Sequence, residues 1–386
     1  MTEQHRTSRS DTCLLHAHRA LGAPVVTAVP ARPYPHAVDG LRVNSLCVTW
    51  PDGRGALRAV SLAAGPGEVL AVLGPTGSGK TTLLRALAGL EKSEGEVRLT
   101  GRSLAALPPH ARGVALASQE PALYPHLTVE QNIALSGELR GRADARRLAR
   151  TSAEALGITD LLTRAPSTLS GGQRQLASLA RVLASSPGLA LLDEPLASLD
   201  APARVRLRPG LRTLLRGLGC PVLYVTHDHE EAMAIGDRLL ILRSGGVEQT
   251  GTGDDLFARP ASTFVASFLG SPPMNMLAGS VSGGVFTPDG SDSQRVPVPT
   301  QVRDGRGTLG IRPRECVLGD QDATIRARVN SVTFVSGEWD VWMSLPGGAE
   351  VLCRCGLPPR VDVGATVGVR ATRLHWFGPD GAALAT

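Results

Sequence analysis

A glycine-rich segment at residues 74–81 constrains the fold of this chain more than any other feature of its sequence. The segment is Gly-Pro-Thr-Gly-Ser-Gly-Lys-Thr, which fits the pattern GxxxxGK[ST]. That pattern requires a strand before it and a helix after it. Residues 69–73 form a short apolar run, and residues 82–90 carry apolar side chains at helical spacing. The sequence therefore predicts a strand, a phosphate-binding loop and a helix within an α/β domain.

The residue types of this loop are suited to phosphate binding. Glycines at positions 74, 77 and 79 allow the backbone to curl, so that successive amides face an anion beside the positive end of the following helix. Lys80 contributes a positive charge for the β- and γ-phosphates, and Thr81 contributes a hydroxyl group for Mg²⁺. The residues of this segment that are expected to bind the nucleotide are Gly74, Pro75, Thr76, Gly77, Ser78, Gly79, Lys80, Thr81 and Thr82.

Two carboxylates follow a second apolar run at residues 189–192. Because α/β folds place their ligands at the carboxyl ends of strands, Asp193 is expected to hold the metal ion through water. Glu194 is suited to orient or deprotonate the water that attacks a γ-phosphate. An Asp-Glu pair after a strand is as often an ordinary loop or helix cap, and the phosphate-binding loop upstream favours the catalytic interpretation.

The segment Leu169-Ser-Gly-Gly-Gln173 resembles the signature sequence of ABC ATPases. Ser170 and the amides of Gly171 and Gly172 are suited to cap a helix N-terminus and to bind a γ-phosphate there. In that family the phosphate belongs to the opposite subunit. The resemblance therefore implies a head-to-tail dimer of this chain, or of this chain with a close paralogue. The nucleotide-binding residues that it implies are Ser170, Gly171, Gly172 and Gln173.

Other residues resemble the remaining elements of the family, in the order that the family has them. Gln119 is similar to the Q-loop glutamine, Asp200 to the D-loop aspartate and His227 to the switch histidine after a strand. Trp50 is similar to the aromatic residue that stacks on adenine. The resemblance implies binding roles for Trp50 and Asp200, and catalytic roles for Glu194, His227 and Gln119. The metal ligands that it implies are Thr81, Gln119 and Asp193.

Three phrases extend the resemblance to the ATPase subunits of carbohydrate importers of the maltose and glycerol-phosphate type. They are residues 122–127, 270–275 and 309–313, and the resemblance runs from residue 41 to the C-terminus. It implies ATP and Mg²⁺ as cofactors, two transmembrane permease subunits, and an indirect link to an extracytoplasmic solute-binding protein. It also implies a peripheral position at the cytoplasmic face of the membrane. Importers of polyamines, iron, sulfate or molybdate use similar ATPases, so the cargo stays open.

The pattern of elements predicts three parts. Residues 1–40 are expected to be a disordered extension, in which His16 and His18 are not a metal site. Residues 41–270 are predicted from their pattern to be an α/β nucleotide-binding domain, and the resemblance implies a P-loop ABC ATPase domain with a helical subdomain. Residues 271–386 are predicted from their pattern to be all-β, and the resemblance implies an OB-like regulatory domain of the TOBE/MOP type. The strands expected in this last part are 324–329, 340–345, 350–355 and 365–371.

Composition narrows the remaining choices. The net charge of +5 is spread along the 386 residues without a long basic run, so nucleic acid is not indicated as a partner. The six cysteines lack paired CxxC spacing, which favours reduced thiols and argues against metal ligation by Cys353 and Cys355. No stretch approaches the roughly 20 apolar residues that span a bilayer, and the N-terminus lacks the apolar region of a signal peptide.

Two positions depart from the family pattern. Ser118 stands where the family has phenylalanine before the Q-loop glutamine. Pro209 and Gly210 lie where a helix would otherwise continue, and an interior proline costs about 3 kcal/mol unless the helix breaks. These departures leave open the alternative that the chain is a regulatory protein whose ATPase has decayed. A soluble ABC protein of translation or DNA repair is less favoured, because the chain has one set of motifs and no long heptad segment.

Overall fold

The computed structural model describes residues 40–384, and the chain divides into two units after Gly253. Residues 1–39 of the extension predicted at residues 1–40, with His16 and His18, lie outside the described residues. Within the part that is described, no helix is both long and apolar enough to cross a membrane. The division after Gly253 differs from the boundary at 270/271 drawn from the sequence, and that domain boundary stays a prediction.

Two sheets build the first unit. A six-stranded sheet has the order β10-β9-β3-β8-β7-β6, and all of its neighbours are parallel except the β9–β10 hairpin. A four-stranded antiparallel sheet has the order β2-β1-β4-β5. The strands are β1 Leu41–Thr49, β2 Gly55–Ala64, β3 Val69–Leu73, β4 Glu94–Leu99, β5 Arg102–Ser103, β6 Val114–Ala117, β7 Leu189–Asp193, β8 Val222–Val225, β9 Arg238–Arg243 and β10 Gly246–Gly251.

The central strands of the six-stranded sheet are buried on both faces. Every residue of β3 and β7 is buried, and alternate residues enter two different cores. Leu189 and Leu191 pack in one core, while Ala190 and Leu192 pack in the other. This arrangement explains why the sequence shows continuous apolar runs there rather than an alternating pattern. The strands predicted at 69–73, 189–192 and 221–226 are confirmed within one or two residues.

Helices cover this sheet and carry a helical subdomain. The subdomain consists of α2 (Val129–Glu138), α3 (Ala145–Ala155) and α4 (Gly171–Ala184), which pack on one another. Both α2 and α4 begin with a capping box, formed by Thr128 with Gln131 and by Ser170 with Gln173. The helices of this unit are α1 Lys80–Ala88, α2 Val129–Glu138, α3 Ala145–Ala155, α4 Gly171–Ala184, α5 Ala201–Gly217 and α6 His229–Ile235.

The sequence left open whether a helix breaks at Pro209, and the structure shows that it does not. Helix α5 runs without a break from Ala201 to Gly217 through Pro209. Proline lacks one N–H group, so it removes a single backbone bond, the one to the carbonyl of Val205. The helix is held on both sides of that gap. Asp200 caps its N-terminus, and Leu211, Leu214 and Leu215 are buried in the core beyond the proline.

The second unit is built on two antiparallel five-stranded sheets, with the orders β13-β12-β11-β14-β20 and β15-β19-β16-β17-β18. They share one core. Its elements are α7 Gly253–Ala258, α8 Thr263–Phe268, β11 Asn275–Ser282, β12 Val285–Pro288, β13 Val296–Pro297, β14 Gly305–Ile311, β15 Cys316–Leu318, β16 Ile325–Val335, β17 Glu338–Ser344, β18 Glu350–Cys355, β19 Thr366–Ala371 and β20 His375–Phe377. All four strands expected from the sequence are present, which confirms the β-rich prediction.

Arg312 ties helices α7 and α8 into the second unit. Its guanidinium donates to the carbonyl oxygens of Phe257, Ala266 and Leu269 at 2.9, 3.2 and 2.5 Å. It also lies over the Phe257 ring, 3.7 Å from the ring centroid. These contacts explain why residues from 254 onward belong with the β-strands rather than with the α/β unit.

Candidate active site

The loop between β3 and α1 has a backbone that only glycine can adopt. A Cβ atom on Gly74 would lie 2.3 Å from the carbonyl oxygen of Leu242. Gly79 has φ of 103°, and a Cβ atom there would lie 2.8 Å from the carbonyl oxygen of Ala56. Gly79 is also the residue from which α1 begins. The loop therefore presents its amides and the N-terminus of α1 to the same space.

Lys80 is the cation of this loop, and its side chain folds back over the backbone. Its Nζ donates to the carbonyl oxygens of Gly74 and Pro75 at 2.8 and 3.0 Å. Burial lowers the pKa of Lys80, whereas the negative charges of Glu194 and Asp193 raise it. A partly desolvated ammonium group attracts an anion more strongly than an exposed one, because less water screens it.

Asp193 and Glu194 lie beside Lys80 at the carboxyl end of β7. Asp193 is 4% exposed, and burial raises the pKa of its carboxyl group, while a hydrogen bond with the Thr81 side chain opposes that effect. Glu194 is held in the left-handed region, with φ of 48°. Its N–H donates to the carbonyl oxygen of Val225 on β8 over 2.9 Å. Such backbone strain at a non-glycine residue concentrates at functional sites.

His227 completes a contact with Glu194. It follows β8 by two residues, and its Nδ1 lies 3.2 Å from Oε2 of Glu194. The His227 side chain is 60% exposed, whereas that of Glu194 is 17% exposed. The imidazole therefore faces the open side of the cleft, and the carboxylate lies below it. This pair can share or relay a proton next to a bound phosphate.

One cleft of about 1110 Å³ brings most of the predicted residues together. Four elements supply them: the loop after β3, Gln119 after β6, Glu194 after β7 and His227 after β8. Trp50, at the end of β1, lies at the same cleft. Gly74, Pro75 and Ser78 belong to the loop but do not line the cleft, and Asp193 is buried next to Thr81. The predicted residues that line the cleft are Trp50, Thr76, Gly77, Gly79, Lys80, Thr81, Thr82, Gln119, Glu194 and His227.

Six further residues line this cleft that the sequence analysis missed. They are Arg54, Gly55, Ala56, Arg58, Ser244 and Gly245. The β9–β10 turn approaches β2 closely here, since Arg58 N–H donates to the Gly245 carbonyl over 2.7 Å. Two arginines shortly after Trp50 were a signal for a phosphate or ribose contact. The turn at Gly245 had no such signal, because only the tertiary fold brings it to β2.

The signature segment does not line this cleft within the described chain. Ser170 Oγ accepts a hydrogen bond from Gln173 N–H at 3.2 Å, and Gln173 Oε1 accepts one from Ser170 N–H at 2.9 Å. Asp200 caps α5 in a similar way, accepting from Ala203 N–H over 2.8 Å. Gly172 faces Leu199 so closely that a Cβ atom would lie 2.7 Å from a Leu199 methyl group. The signature segment and the segment of Leu199 and Asp200 are therefore neighbours in the fold.

Gln175 links these motifs to Glu194, and it was not predicted. Its Nε2 donates to the carbonyl oxygen of Glu194, and its Oε1 accepts from Ser198 N–H, both at 2.7 Å. The Gln175 side chain is buried. Its amide therefore fixes the segment from Glu194 to Ser198 against α4. A glutamine among the mostly small and apolar residues of the buried face of α4 was the signal available in the sequence.

This combination of a parallel sheet, a phosphate-binding loop, a carboxylate pair and a separate signature helix defines an ABC-type nucleotide-binding cassette. A family model described as ABC transporter matches residues 57–197, and one described as TOBE domain matches residues 309–377. Among solved structures, a dimeric structure of MJ0796, a bacterial ABC transporter cassette, has a TM-score of 0.51 at 28% sequence identity. It covers 55% of this chain and 98% of that one. A post-hydrolysis dimer of MJ0796 bound to ADP and Pi matches equally well.

Curated relatives extend the similarity to most of the chain. Three proteins called sn-glycerol-3-phosphate import ATP-binding protein UgpC are similar to it. The protein from Chromohalobacter salexigens is 42% identical over 316 residues, 80% of this chain and 85% of the relative. The protein from Rhizobium meliloti is 39% identical over 85% of this chain and 95% of the relative. The protein from Jannaschia sp. is 44% identical over 69% and 77%.

The chain therefore belongs to the ABC transporter family of ATP-binding proteins. It is an ATP-hydrolysing subunit that energises an ABC importer, and its second unit contains a TOBE domain at residues 309–377.

Proposed function

We propose that the chain hydrolyses ATP to drive the import of sn-glycerol-3-phosphate or a related sugar phosphate. The observation that supports ATP hydrolysis is the cleft in which Lys80, Glu194 and His227 lie together. The Glu194 carboxylate there is 3.2 Å from the His227 imidazole. The cargo rests on the relatives, whose names give sn-glycerol-3-phosphate as their substrate and whose alignments reach beyond the ATPase unit.

The loop residues hold the triphosphate in this proposal. The amides from Gly77 to Thr82 and the N-terminus of α1 donate to the β- and γ-phosphates. Lys80 exchanges its present bonds to the Gly74 and Pro75 carbonyls for the phosphate oxygens. Trp50 stacks on the adenine ring at the other end of the cleft.

The oxygen groups around Thr81 fit a magnesium ion. The Thr81 hydroxyl is hydrogen-bonded to the buried Asp193 carboxylate, and both lie next to the loop that would hold the phosphates. Hard oxygen ligands of this kind, completed by water and phosphate, are what Mg²⁺ prefers. We assign Thr81, Gln119 and Asp193 to this ion, with Asp193 acting through water. When bound, the ion supplies positive charge beside the β- and γ-phosphates.

Glu194 and His227 carry the hydrolytic step. Glu194 orients the attacking water or takes its proton, because its carboxylate is the acidic group of the cleft nearest to the imidazole. His227 holds that carboxylate and contacts the γ-phosphate from the exposed side. Gln119, which follows β6, contacts the same phosphate. Phosphoryl transfer of this kind depends mainly on positioning and charge.

A second subunit completes each site. Ser170 to Gln173 lie outside the cleft of their own chain, at the N-terminus of α4, where they can bind the γ-phosphate of a partner. Leu199, the residue before Asp200, lies beside Gly172. Two copies, or one copy and a close paralogue, therefore enclose two ATP molecules head to tail. ATP shifts the pair towards the closed state only by its greater affinity for that state.

We place the subunit at the cytoplasmic face of the membrane. Residues 119–126 carry the closing motion to two permease subunits, and an extracytoplasmic solute-binding protein delivers the cargo to them. Tyr124 is 49% exposed in this segment, which suits a contact with a partner.

Uptake of labelled sn-glycerol-3-phosphate tests the cargo. The chain is expressed with its permease and binding protein in cells that lack other uptake of this compound. The proposal predicts uptake with the wild type and none with Glu194→Gln. Uptake of a polyamine, iron or an oxyanion in place of the sugar phosphate would contradict the proposed cargo but not the proposed ATP hydrolysis.

A further inference from the structure

Arg208 on α5 forms an ion pair with Asp228, the residue directly after His227. Arg208 Nη2 donates to Asp228 Oδ2 over 2.6 Å. Arg204, one helical turn earlier, places Nη1 3.7 Å from the same oxygen. The side chains of Arg208 and Asp228 are only 12% and 22% exposed. Because water screens a partly buried pair less than an exposed one, this pair is a firm link between two elements.

The other oxygen of Asp228 fixes the backbone on the far side of His227. Asp228 Oδ1 accepts from Glu231 N–H over 2.9 Å and so caps α6. The N–H of Asp228 donates to Thr226 Oγ1 over 3.1 Å. One carboxylate therefore joins α6 to α5. His227 lies between two residues, Thr226 and Asp228, that are bonded to each other.

Helix α5 leads from this ion pair to the predicted subunit contact. It begins after Asp200, and eight residues of helix, about 12 Å, separate Asp200 from Arg208. The helix is continuous over this stretch and is packed into the core beyond it. A packed helix moves as a unit, so a displacement of its first turn also displaces Arg208.

We propose that Arg208 is a positioning residue for ATP hydrolysis, which holds His227 against Glu194 through Asp228. This proposal rests on the proposed roles of Glu194 and His227. Arg208 does not line the cleft, so it acts without touching ATP. Because α5 starts at Asp200, pairing of the subunits at Asp200 adjusts His227 through this ion pair. Hydrolysis is thereby linked to the presence of the partner.

Substitutions on α5 test the proposal in the full-length protein. Arg208→Gln removes the charge and keeps most of the length of the side chain, while Arg208→Lys keeps the charge. Arg206→Gln is the control, because it removes the same charge from an exposed position on the same helix. We expect Arg208→Gln to lower kcat by about tenfold or more with KM for ATP changed less than about twofold. We expect Arg208→Lys to recover most of kcat and Arg206→Gln to match the wild type.

A double substitution separates positioning from a loss of folding. In the His227→Ala background, adding Arg208→Gln should lower phosphate release by less than about twofold, because the residue on which Arg208 acts is already gone. An equal loss in both backgrounds would overturn the proposal, and so would a wild-type kcat in Arg208→Gln. A wild type without ATP hydrolysis would instead overturn the proposed function, and this inference with it.

Discussion

The side-chain amide of Gln175 donates a hydrogen bond to the main-chain carbonyl of Glu194 over 2.7 Å. Its oxygen accepts from the N–H of Ser198 over the same distance. Gln175 is on the signature helix α4, and Glu194 is the proposed catalytic base. The main chain of Glu194, proposed to act on the ATP of its own subunit, is thus held by the helix that is proposed to bind the ATP of the partner.

Gln175→Met keeps the volume of the side chain and removes both hydrogen bonds. We expect it to lower the free energy of unfolding by about 1–3 kcal/mol, because the Glu194 carbonyl and the Ser198 amide lose their partner. We also expect kcat to fall more than KM for ATP changes. Urea denaturation and steady-state kinetics measure the two effects. Gln321→Met, at an exposed position of the second unit, is the control and should change neither quantity.

Trp50→Ala should weaken ATP binding without affecting the hydrolytic step. Stacking of a base on an aromatic ring is worth about 1–3 kcal/mol, so KM for ATP should rise by about five- to 150-fold. Trp50→Phe should keep most of the affinity, because it keeps an aromatic face. Since stacking tolerates different bases, GTP should lose affinity to a similar extent. An unchanged KM in Trp50→Ala would remove Trp50 from the site.

Asp193→Asn should stabilise the fold at neutral pH while it stops hydrolysis. Burial raises the pKa of Asp193 above its ordinary value of 3.8, so the folded state holds this proton more tightly than the unfolded state does. The ionised carboxylate therefore costs stability at any pH above the raised pKa. That cost disappears as the pH falls through the raised pKa towards 3.8. The melting temperature of Asp193→Asn should exceed that of the wild type at pH 7, and the difference should shrink as the pH falls. A lower melting temperature at pH 7 would contradict this.

Arg312→Met should destabilise the second unit. The substitution leaves the carbonyls of Phe257, Ala266 and Leu269 without their donor inside the fold, at a cost of about 2–4 kcal/mol. Burial lowers the pKa of Arg312 to about 10, so the side chain is charged at neutral pH and Arg312→Lys should recover part of the loss. Denaturation followed by tryptophan fluorescence measures both. Arg370→Met, an exposed arginine on β19, should be neutral.

Much of this site could be predicted from the sequence because its key contacts are local. The phosphate-binding loop, the carboxylates after β7 and the cap at Ser170 are each formed within one short segment of the chain, and each has a characteristic sequence pattern. The cleft residues Arg58 and Gly245 were missed, since the contact between β2 and the β9–β10 turn spans nearly the whole unit. The sequence left open whether α5 breaks at Pro209, because the burial of Leu211, Leu214 and Leu215 that offsets the local cost of proline depends on the tertiary fold. Ser118, which departs from the family pattern, donates its hydroxyl to the Glu120 carbonyl over 2.6 Å.

The most direct test of the account compares ATP hydrolysis and ATP-dependent dimerisation in the wild type and in Glu194→Gln. Phosphate release with Mg²⁺ measures the first, and light scattering with ATP measures the second. The account predicts slow hydrolysis by the wild type, and no hydrolysis with a stable ATP-bound dimer in Glu194→Gln. Normal hydrolysis by a Glu194→Gln variant that still binds ATP would contradict the account, because the catalytic carboxylate would then lie elsewhere.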